Sequence, residues 1–213
     1  MPESENAFSG LQFLMSAAQS AQLPAADLPE LAFAGRSNVG KSSAINALAR
    51  RRRLAFFSKT PGRTQTINFF ELGGRARLVD LPGYGFARAA RTVRAEWDEL
   101  VGGYLSGRRS LAGVVLLMDA RRPLTEHDRA LLEWLRPARR RMLVLLSKSD
   151  KLTRDERVRT LRQVREQMAH SDPDAQVQLF SSQSGEGVDA SRELLEGWLR
   201  AARENKKPPV KGM

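Results

Sequence analysis

The sequence of 213 residues contains no cysteine, only two histidines, and no apolar run long enough to cross a membrane. Without cysteine, the chain forms no disulfide bonds and no thiolate metal site, which excludes a secreted disulfide-rich scaffold. His127 and His170 lie in polar stretches, so we expect both to be exposed and find no Ser–His–Asp set. The acidic start of the chain lacks the basic region of a signal peptide. We therefore expect a cytoplasmic protein with no membrane partner.

Basic residues outnumber acidic ones, 35 to 24, which gives a formal net charge of +11. Such a surplus favours a polyanionic partner, and RNA is the most common one for a soluble protein, although an arginine-rich proteome would produce the same bias. A dense cluster at Arg50–Arg53 follows a predicted helix. It is either a solvated helix end or a nucleic-acid contact. We expect no DNA partner and a monomer.

Apolar runs of strand length alternate with helical patterns along the chain, which predicts a three-layer α/β domain with a mostly parallel sheet. Two runs at 66–72 and 75–81 flank Gly73-Gly74, a hairpin signal that implies one antiparallel strand. The other predicted strands are 31–34, 113–118, 142–146 and 177–180, with 11–17 either a strand or a helical turn. The predicted helices are 42–48, 91–104, 125–135 with Thr125 as N-cap, 153–168 and 189–202. We expect residues 1–10 to be disordered, 11–203 to form one domain and 204–213 to be a flexible basic tail.

The most informative stretch begins with the apolar run 31–34 and continues through Gly35 to Gly40-Lys41-Ser42, the spacing of a phosphate-binding loop. Its glycines let backbone N–H groups turn toward anionic oxygens. Lys41 reaches the β- and γ-phosphates, and the Ser42 hydroxyl provides one ligand for Mg²⁺. The following helix directs its positive N-terminal end at the phosphates.

Further polar segments follow the ends of other predicted strands. Asp80 of Asp80-Leu81-Pro82-Gly83 is placed to hold Mg²⁺ through water, and Gly83 N–H to approach a γ-phosphate. Thr64 lies in a loop where its hydroxyl would close on the metal only when the γ-phosphate is present.

The base-binding segments come later in the chain. Asp150 can accept both the N1–H and the amino group of guanine, whereas adenine offers no such donor pair and would leave the carboxylate unpaired. A penalty of this kind discriminates by roughly four orders of magnitude. Lys148 would lie along the base and brace the phosphate-binding loop, and a backbone N–H in Phe180–Ser182 would reach the guanine O6. Together these signals predict a guanine-nucleotide site.

The chain resembles the EngB family of TRAFAC-class GTPases over nearly its whole length, from about residue 11 to 199. The family-typical stretches are Gly35–Ser43, Pro61–Phe69 and Asp80–Ala87. The resemblance implies a bacterial GTPase that acts late in assembly of the large ribosomal subunit, through its precursor or rRNA, and is linked to normal cell division and septation. One departure is that the base-reading motif begins with Ser147, where Thr or Asn is usual; serine keeps the hydroxyl.

The resemblance also assigns the site residue by residue. The implied metal ligands are Ser42 and Thr64, the implied catalytic residues are Lys41, Thr64, Asp80 and Gly83, and the ligands are GTP or GDP with Mg²⁺. The implied nucleotide contacts are Gly35, Arg36, Ser37, Asn38, Val39, Gly40, Lys41, Ser42, Gly62, Arg63, Thr64, Gln65, Thr66, Asp80, Leu81, Pro82, Gly83, Ser147, Lys148, Ser149, Asp150, Phe180, Ser181 and Ser182. Asn38 resembles the potassium ligand of cation-activated GTPases, so K⁺ is a further expected cofactor.

Two other functions compete with a GTP-hydrolysing switch. The first is an RNA-binding assembly factor for which GTP is mainly a bound ligand and hydrolysis is incidental. The second is an adenine-nucleotide phosphotransferase, which is disfavoured because Ser147–Asp150 would then have no purpose.

We predict slow hydrolysis by the isolated protein. Tyr84 occupies the position at which Ras-like enzymes carry the glutamine that orients the attacking water, and a phenol cannot replace that amide. Single-turnover assays should give a rate below about 1 per second, the lower end of the usual enzyme range. The same assay with Na⁺ replacing K⁺ at constant ionic strength should be slower still if Asn38 binds K⁺. A fast reaction without any partner would contradict the first expectation, and an unchanged rate in Na⁺ the second.

Overall fold

The fold is organised around a mixed sheet, seen in a computed structural model that describes residues 8–55, 66–84, 91–136 and 139–205, excluding the side chains of 91–98. Within these residues the strands are β1 (Leu11–Ala17), β2 (Glu30–Gly35), β3 (Ile67–Leu72), β4 (Arg77–Asp80), β5 (Leu111–Asp119), β6 (Met142–Ser147) and β7 (Gln176–Leu179). The α-helices are α1 (Lys41–Leu48), α2 (Arg91–Gly107), α3 (Glu126–Leu135), α4 (Arg154–Ser171) and α5 (Val188–Glu204). Short 3₁₀ turns lie at Ser20–Gln22 and Ser149–Lys151. None of the described helices is long and apolar enough to span a membrane.

The strand order across the sheet is β1-β3-β4-β2-β5-β6-β7. β3 runs antiparallel to both of its neighbours, β1 and β4, while all other neighbouring pairs are parallel. The prediction of a mostly parallel sheet with one reversed strand is therefore confirmed. The hairpin between β3 and β4 turns at Gly73 and Gly74, where the Arg75 N–H donates to the Leu72 carbonyl. β4 begins two residues later than predicted because Arg75 and Ala76 belong to the turn.

Helices cover both faces of the sheet, which explains the uninterrupted apolar strands. Residues of α1 and α5 pack with Leu31 and Phe33 of β2 on one face. Residues of α2, α3 and α4 pack with Ala32 and Ala34 of the same strand on the other. The central strands β2, β5 and β6 are buried almost throughout, as the charge-free runs at 31–34, 113–118 and 142–146 predict. The result is the predicted three-layer α/β fold.

Threonine side chains begin two of the helices. Thr125 caps α3, where it accepts from the Asp128 N–H while the Asp128 carboxylate accepts from the Thr125 N–H. Thr153 forms the same reciprocal arrangement with Glu156 at the start of α4. Each box satisfies backbone N–H groups that the helix itself leaves unpaired. The predicted N-cap at Thr125 is confirmed.

The ends of the chain differ in part from the prediction. Phe8 is fully buried and packs in the same core as α1 and α5, and its carbonyl accepts from the Leu11 N–H. The expectation of disorder through residue 10 is thus wrong for residues 8–10, because this aromatic side chain is drawn into the core. At the other end, α5 continues through Glu204, the first residue of the predicted tail. Residues 1–7 and 206–213 lie outside the described residues.

A buried ionic network closes the edge of the sheet at which β2 and β4 begin. The Glu30 carboxylate, fully buried, accepts from Nε and Nη2 of Arg108 at 2.9 and 2.6 Å. It also accepts from the Tyr104 hydroxyl at 2.9 Å. Burial, followed by the nearby Glu30 charge, raises the pKa of Tyr104 well above its usual value, so this hydroxyl remains a donor. The network joins α2 to the strand that leads into the phosphate-binding loop.

We predict that Arg108→Ala strongly destabilises the fold, because it leaves the buried Glu30 carboxylate without its main cationic partner. The expected loss is about 3–5 kcal/mol of unfolding free energy, measured by urea denaturation. Arg162→Ala is the matched control, since Arg162 pairs with Glu166 at 2.8 Å on the exposed surface of α4. That variant should lose only about 0.3–0.5 kcal/mol. Equal losses for the two variants would contradict the assigned importance of the buried network.

Candidate functional site

The predicted site residues that the structure describes lie at one edge of the sheet, where the parallel strands end. β2 leads into Gly35–Ser42, β4 into Asp80–Gly83, β6 into Ser147–Asp150 and β7 into Phe180–Ser182. Because β4, β2, β5, β6 and β7 are adjacent and parallel, these four segments converge on a single rim. This is the edge at which open α/β sheets bind ligands. The fifth predicted segment is represented by Thr66, whose hydroxyl donates to Asn68; Gly62, Arg63, Thr64 and Gln65 lie outside the described residues.

The phosphate-binding loop ends at Gly40, the N-cap residue of α1. Its φ of +109° lies in the region that favours glycine, and no side chain caps the helix there. The first N–H groups of α1 can thus donate to an anion, and the helix dipole favours negative charge at the same place. Lys41 opens the helix, with its Nζ 4.0 Å from Oδ1 of Asp80.

Asp80 is a buried carboxylate at the rim, only 7% exposed. Its Oδ1 has no hydrogen-bond partner among the described residues. Burial raises the pKa of this carboxyl, while the Lys41 charge and a hydrogen bond from Ser42 act in the opposite direction. A buried oxygen without a hydrogen-bond partner costs folding free energy. Oδ1 of Asp80 and the adjacent Ser42 hydroxyl are oxygen donors of the kind that Mg²⁺ prefers, so the residues present fit this metal.

The segment after β4 lies directly against the phosphate-binding loop. A Cβ atom added at Gly83 would be 3.0 Å from both Cα and N of Ser37. The Ser37 N–H donates to the Tyr84 carbonyl at 3.2 Å, and Arg36 and Tyr84 form an isolated parallel bridge. A side chain at position 83 would thus crowd the Ser37 backbone, and this close approach places the Gly83 backbone beside the position expected for the terminal phosphate.

The Tyr84 side chain points away from that position and into α3. Its hydroxyl donates to Oδ1 of Asp128 at 2.9 Å, and burial together with the Asp128 charge raises its pKa. Asp128 is itself fully buried, accepts from the backbone and hydroxyl of Thr125, and has Nε of Arg36 at 3.6 Å. The sequence leaves open whether Tyr84 and Phe86 are core aromatics or face a partner, and the structure places Tyr84 in the core. Phe86 lies outside the described residues.

The loop after β6 is tied to the phosphate-binding loop by two side chains. The Ser147 hydroxyl is 2.7 Å from the Val39 carbonyl oxygen. Lys148 Nζ donates to the Asn38 carbonyl at 2.9 Å and to the Asp119 carboxylate at 3.0 Å. The predicted bracing by Lys148 is confirmed, and the hydroxyl retained at Ser147 makes a direct contact. The Asn38 side chain is exposed, and its role as a K⁺ ligand stays a prediction.

Asp119 orients Lys148 and was not recognised in the sequence as a site residue. Its carboxylate accepts from Nε and Nη2 of Arg121 at 2.9 and 2.7 Å. These bonds, and then the bond from Lys148, hold the pKa of Asp119 well below its usual value. One signal was available, since Asp119 is the single charged residue of the nine-residue apolar strand β5 and stands at its carboxyl end.

Asp150 faces the loop after β7. Its Oδ1 accepts from the Ser181 hydroxyl at 2.7 Å and its Oδ2 pairs with Lys151 at 3.2 Å. The Ser181 bond, with Lys151, lowers the pKa of Asp150, which keeps the carboxylate an acceptor. The Ser181 N–H donates to the Glu186 carbonyl, and the N–H groups of Gln183 and Ser184 to the Ser181 hydroxyl. Among the described residues of this loop, Ser182 keeps a backbone N–H that is not used internally.

The fold and the four converging segments define a P-loop GTPase. Residues 30–148, more than half of the chain, match the family model described as "50S ribosome-binding GTPase". The chain is 51% identical over 205 residues to the "Probable GTP-binding protein EngB" of Dechloromonas aromatica, covering 94% of this chain and 93% of that protein. It is 54% identical over 187 residues to the protein described in the same words from Thiobacillus denitrificans, covering 88% and 90%. The chain belongs to the EngB family of GTP-binding proteins and is a GTPase.

Solved structures agree with the fold. The crystal structure of a probable GTP-binding protein EngB superposes with a TM-score of 0.64 at 23% identity, covering 81% of this chain and 99% of that one. Era, in complex with MgGDPNP and nucleotides of 16S ribosomal RNA, superposes with a TM-score of 0.60 at 18% identity, covering 87% of this chain and 59% of that one. At these identities the likeness concerns the fold.

We predict that Tyr84→Phe lowers stability and leaves GTP hydrolysis nearly unchanged, because the hydroxyl serves Asp128. The expected loss is about 1.5–3 kcal/mol of unfolding free energy, as for a hydrogen bond to a charged group, with a single-turnover rate within about threefold of wild type. Tyr104→Phe is the matched control, since it removes an equivalent hydroxyl from the buried Glu30 at the opposite edge of the sheet. A tenfold slower reaction in Tyr84→Phe alone would instead place the Tyr84 hydroxyl in the chemistry.

Proposed function

We propose that this GTPase is a switch in late assembly of the large ribosomal subunit, in the bacterial cytoplasm, and that it is needed for normal cell division and septation. The observation that carries the proposal is the match of residues 30–148 to the family described as 50S ribosome-binding GTPase.

The nucleotide is held by the segments that meet at the rim. In this proposal the N–H groups of Gly35–Ser42 and the N-terminus of α1 cradle the phosphates, and Lys41 contacts the β- and γ-phosphates. Asp150 accepts from N1–H and the amino group of guanine, while the Ser182 N–H reaches O6. The convergence of the strand ends and the free N-terminus of α1 support these roles.

Mg²⁺ is the proposed metal, held by Ser42 and Thr64, with Asp80 acting through water. When bound, it neutralises charge on the β- and γ-phosphates. The partnerless Oδ1 of Asp80 supports a cation beside it. K⁺ near Asn38 is proposed as a second cation that places positive charge beside the phosphates.

Slow intrinsic hydrolysis is part of the proposal. Tyr84 follows Gly83, and its hydroxyl donates to Asp128, so Tyr84 does not orient a water at the γ-phosphate. In the GTP state Thr64 and Gly83 would contact the metal and the γ-phosphate, and hydrolysis would release their loops. A partner such as the pre-ribosome would then accelerate the release of these loops or respond to it.

The proposed partner surface is basic. The side chains of Arg50–Arg53 are exposed at the end of α1, although Arg51 also donates to the Leu11 carbonyl and Arg50 lies 3.9 Å from Asp189. The net charge of +11 supports rRNA as the polyanion bound. We also propose Arg88, Arg91 and Arg94 as contacts of this surface; Arg88 lies outside the described residues, as do the side chains of Arg91 and Arg94. We propose a monomer with no DNA or membrane partner.

The test is co-sedimentation with large-subunit precursors in GTP, GDP or a non-hydrolysable GTP analogue. A switch should bind with the analogue, leave after GTP hydrolysis and fail to bind in GDP. Lys41→Ala should abolish the nucleotide-dependent binding, whereas the surface control Arg162→Ala should behave as wild type. Equal binding in all three nucleotide states would favour the alternative, an RNA-binding factor for which hydrolysis is incidental. Binding in no state, with GTP bound tightly in solution, would overturn the ribosomal role.

A further inference from the structure

Two loops beside the proposed base site are cross-linked by a glutamate that neither loop's motif includes. We call Ser147–Asp150 the base loop and residues 180–187 the neighbouring loop. The Glu186 carboxylate of the neighbouring loop accepts from the Ser149 hydroxyl of the base loop at 2.5 Å. Ser149 is fully buried, so its hydroxyl has little access to water as a substitute partner.

Glu186 also holds its own loop in shape. Its carbonyl accepts from the Ser181 N–H at 2.9 Å, which fixes the residue whose hydroxyl donates to Asp150 at 2.7 Å. Glu186 is therefore connected to Asp150 in two ways. Its carboxylate binds Ser149, the residue before Asp150, and its carbonyl binds Ser181, whose hydroxyl donates to Asp150. The Ser149 N–H adds a backbone bond to the Phe180 carbonyl at 3.2 Å.

An arginine of α4 completes the cluster. Nε of Arg157 donates to the carbonyls of Ser149 and Leu152 at 3.0 and 3.2 Å. Its Nη1 lies 3.6 Å from the Glu186 carboxylate, which leaves that charge compensated. Arg157 thus contacts both the base loop and Glu186, so the two loops and α4 are connected to one another.

We propose that Glu186 is a positioning residue for guanine selection, which holds Asp150 in register through Ser149. The inference rests on the proposed role of Asp150 in base recognition. The carboxylate of Asp150 must meet two donors of guanine at once, and a hydrogen bond weakens steeply when its geometry is lost. Because Ser149 directly precedes Asp150, loss of its side-chain bond to Glu186 loosens the base loop next to the residue whose alignment matters, where backbone bonds to Phe180 and Arg157 remain. Discrimination then falls more than nucleotide binding in general.

Inosine diphosphate is a suitable probe because it matches GDP except for the missing 2-amino group. Calorimetry with both nucleotides gives a GDP-to-IDP affinity ratio that reports contact with that group. We expect Glu186→Ala to reduce this ratio by about tenfold or more. Glu186→Gln should restore most of it, since its amide oxygen still accepts from Ser149. Glu196→Ala is the matched control, because Glu196 lies on the exposed side of α5, 3.9 Å from Arg200.

Ser149→Ala is the second variant, with melting temperatures measured throughout. It should lower the ratio as Glu186→Ala does, and combining the two changes should add little further loss, because both remove the same bond. Ser149→Ala alone keeps the inference testable if Glu186→Ala does not fold. An unchanged ratio in Ser149→Ala or Glu186→Ala would overturn the inference, as would equal weakening of GDP and IDP.

Asp150→Asn separates this inference from the assignment of the base site. Its amide can donate to the C2 carbonyl of xanthine, so preference should move from GDP toward xanthosine diphosphate. If that shift occurs and Glu186→Ala leaves the ratio intact, only the positioning role is wrong. If Asp150→Asn leaves base preference unchanged, the proposed base site itself is misplaced.

Discussion

The parallel register of five adjacent strands, β4, β2, β5, β6 and β7, is the constraint on which the nucleotide site depends. Parallel strands end at one edge, so segments far apart in the chain arrive at the same rim without any long excursion. Helices on both faces make that register possible, because they bury strands that are apolar on both sides. Lys148 then secures the rim by joining the base loop to the phosphate-binding loop, with Asp119 fixing its ammonium.

Two buried carboxylates, Glu30 and Asp80, lie at opposite edges of the sheet and have different roles. At the edge where β2 begins, Glu30 accepts from Arg108 and Tyr104 and has Nη1 of Arg77 at 3.8 Å, and this network stabilises the fold. At the opposite edge, Asp80 keeps an oxygen without a partner among the described residues and has Lys41 at 4.0 Å. An unpaired buried oxygen lowers stability unless a ligand completes it. We therefore expect nucleotide and metal to stabilise the nucleotide-binding end in particular.

Much of the fold could be predicted because its signals are local. The charge-free runs at 31–34, 113–118 and 142–146 identify central strands, and Thr125 marks a helix start through a contact only three residues away. Phe8 was missed because a lone aromatic in a polar segment carries no periodicity. The phosphate-binding loop was found because its function requires a fixed spacing, whereas Asp119 and Glu186 belong to no motif.

The strands and helices, the phosphate-binding loop and the segment that we propose reads guanine could be predicted from the sequence, since each depends on residues that are close together in the chain. The side chains that support these elements became evident only from contacts between distant parts of the chain. Tyr84 meets Asp128 across 44 residues, Lys148 meets Asp119 across 29 and Ser149 meets Glu186 across 37. Such pairs arise only when strand order and helix packing bring distant loops together, and no local pattern encodes that proximity.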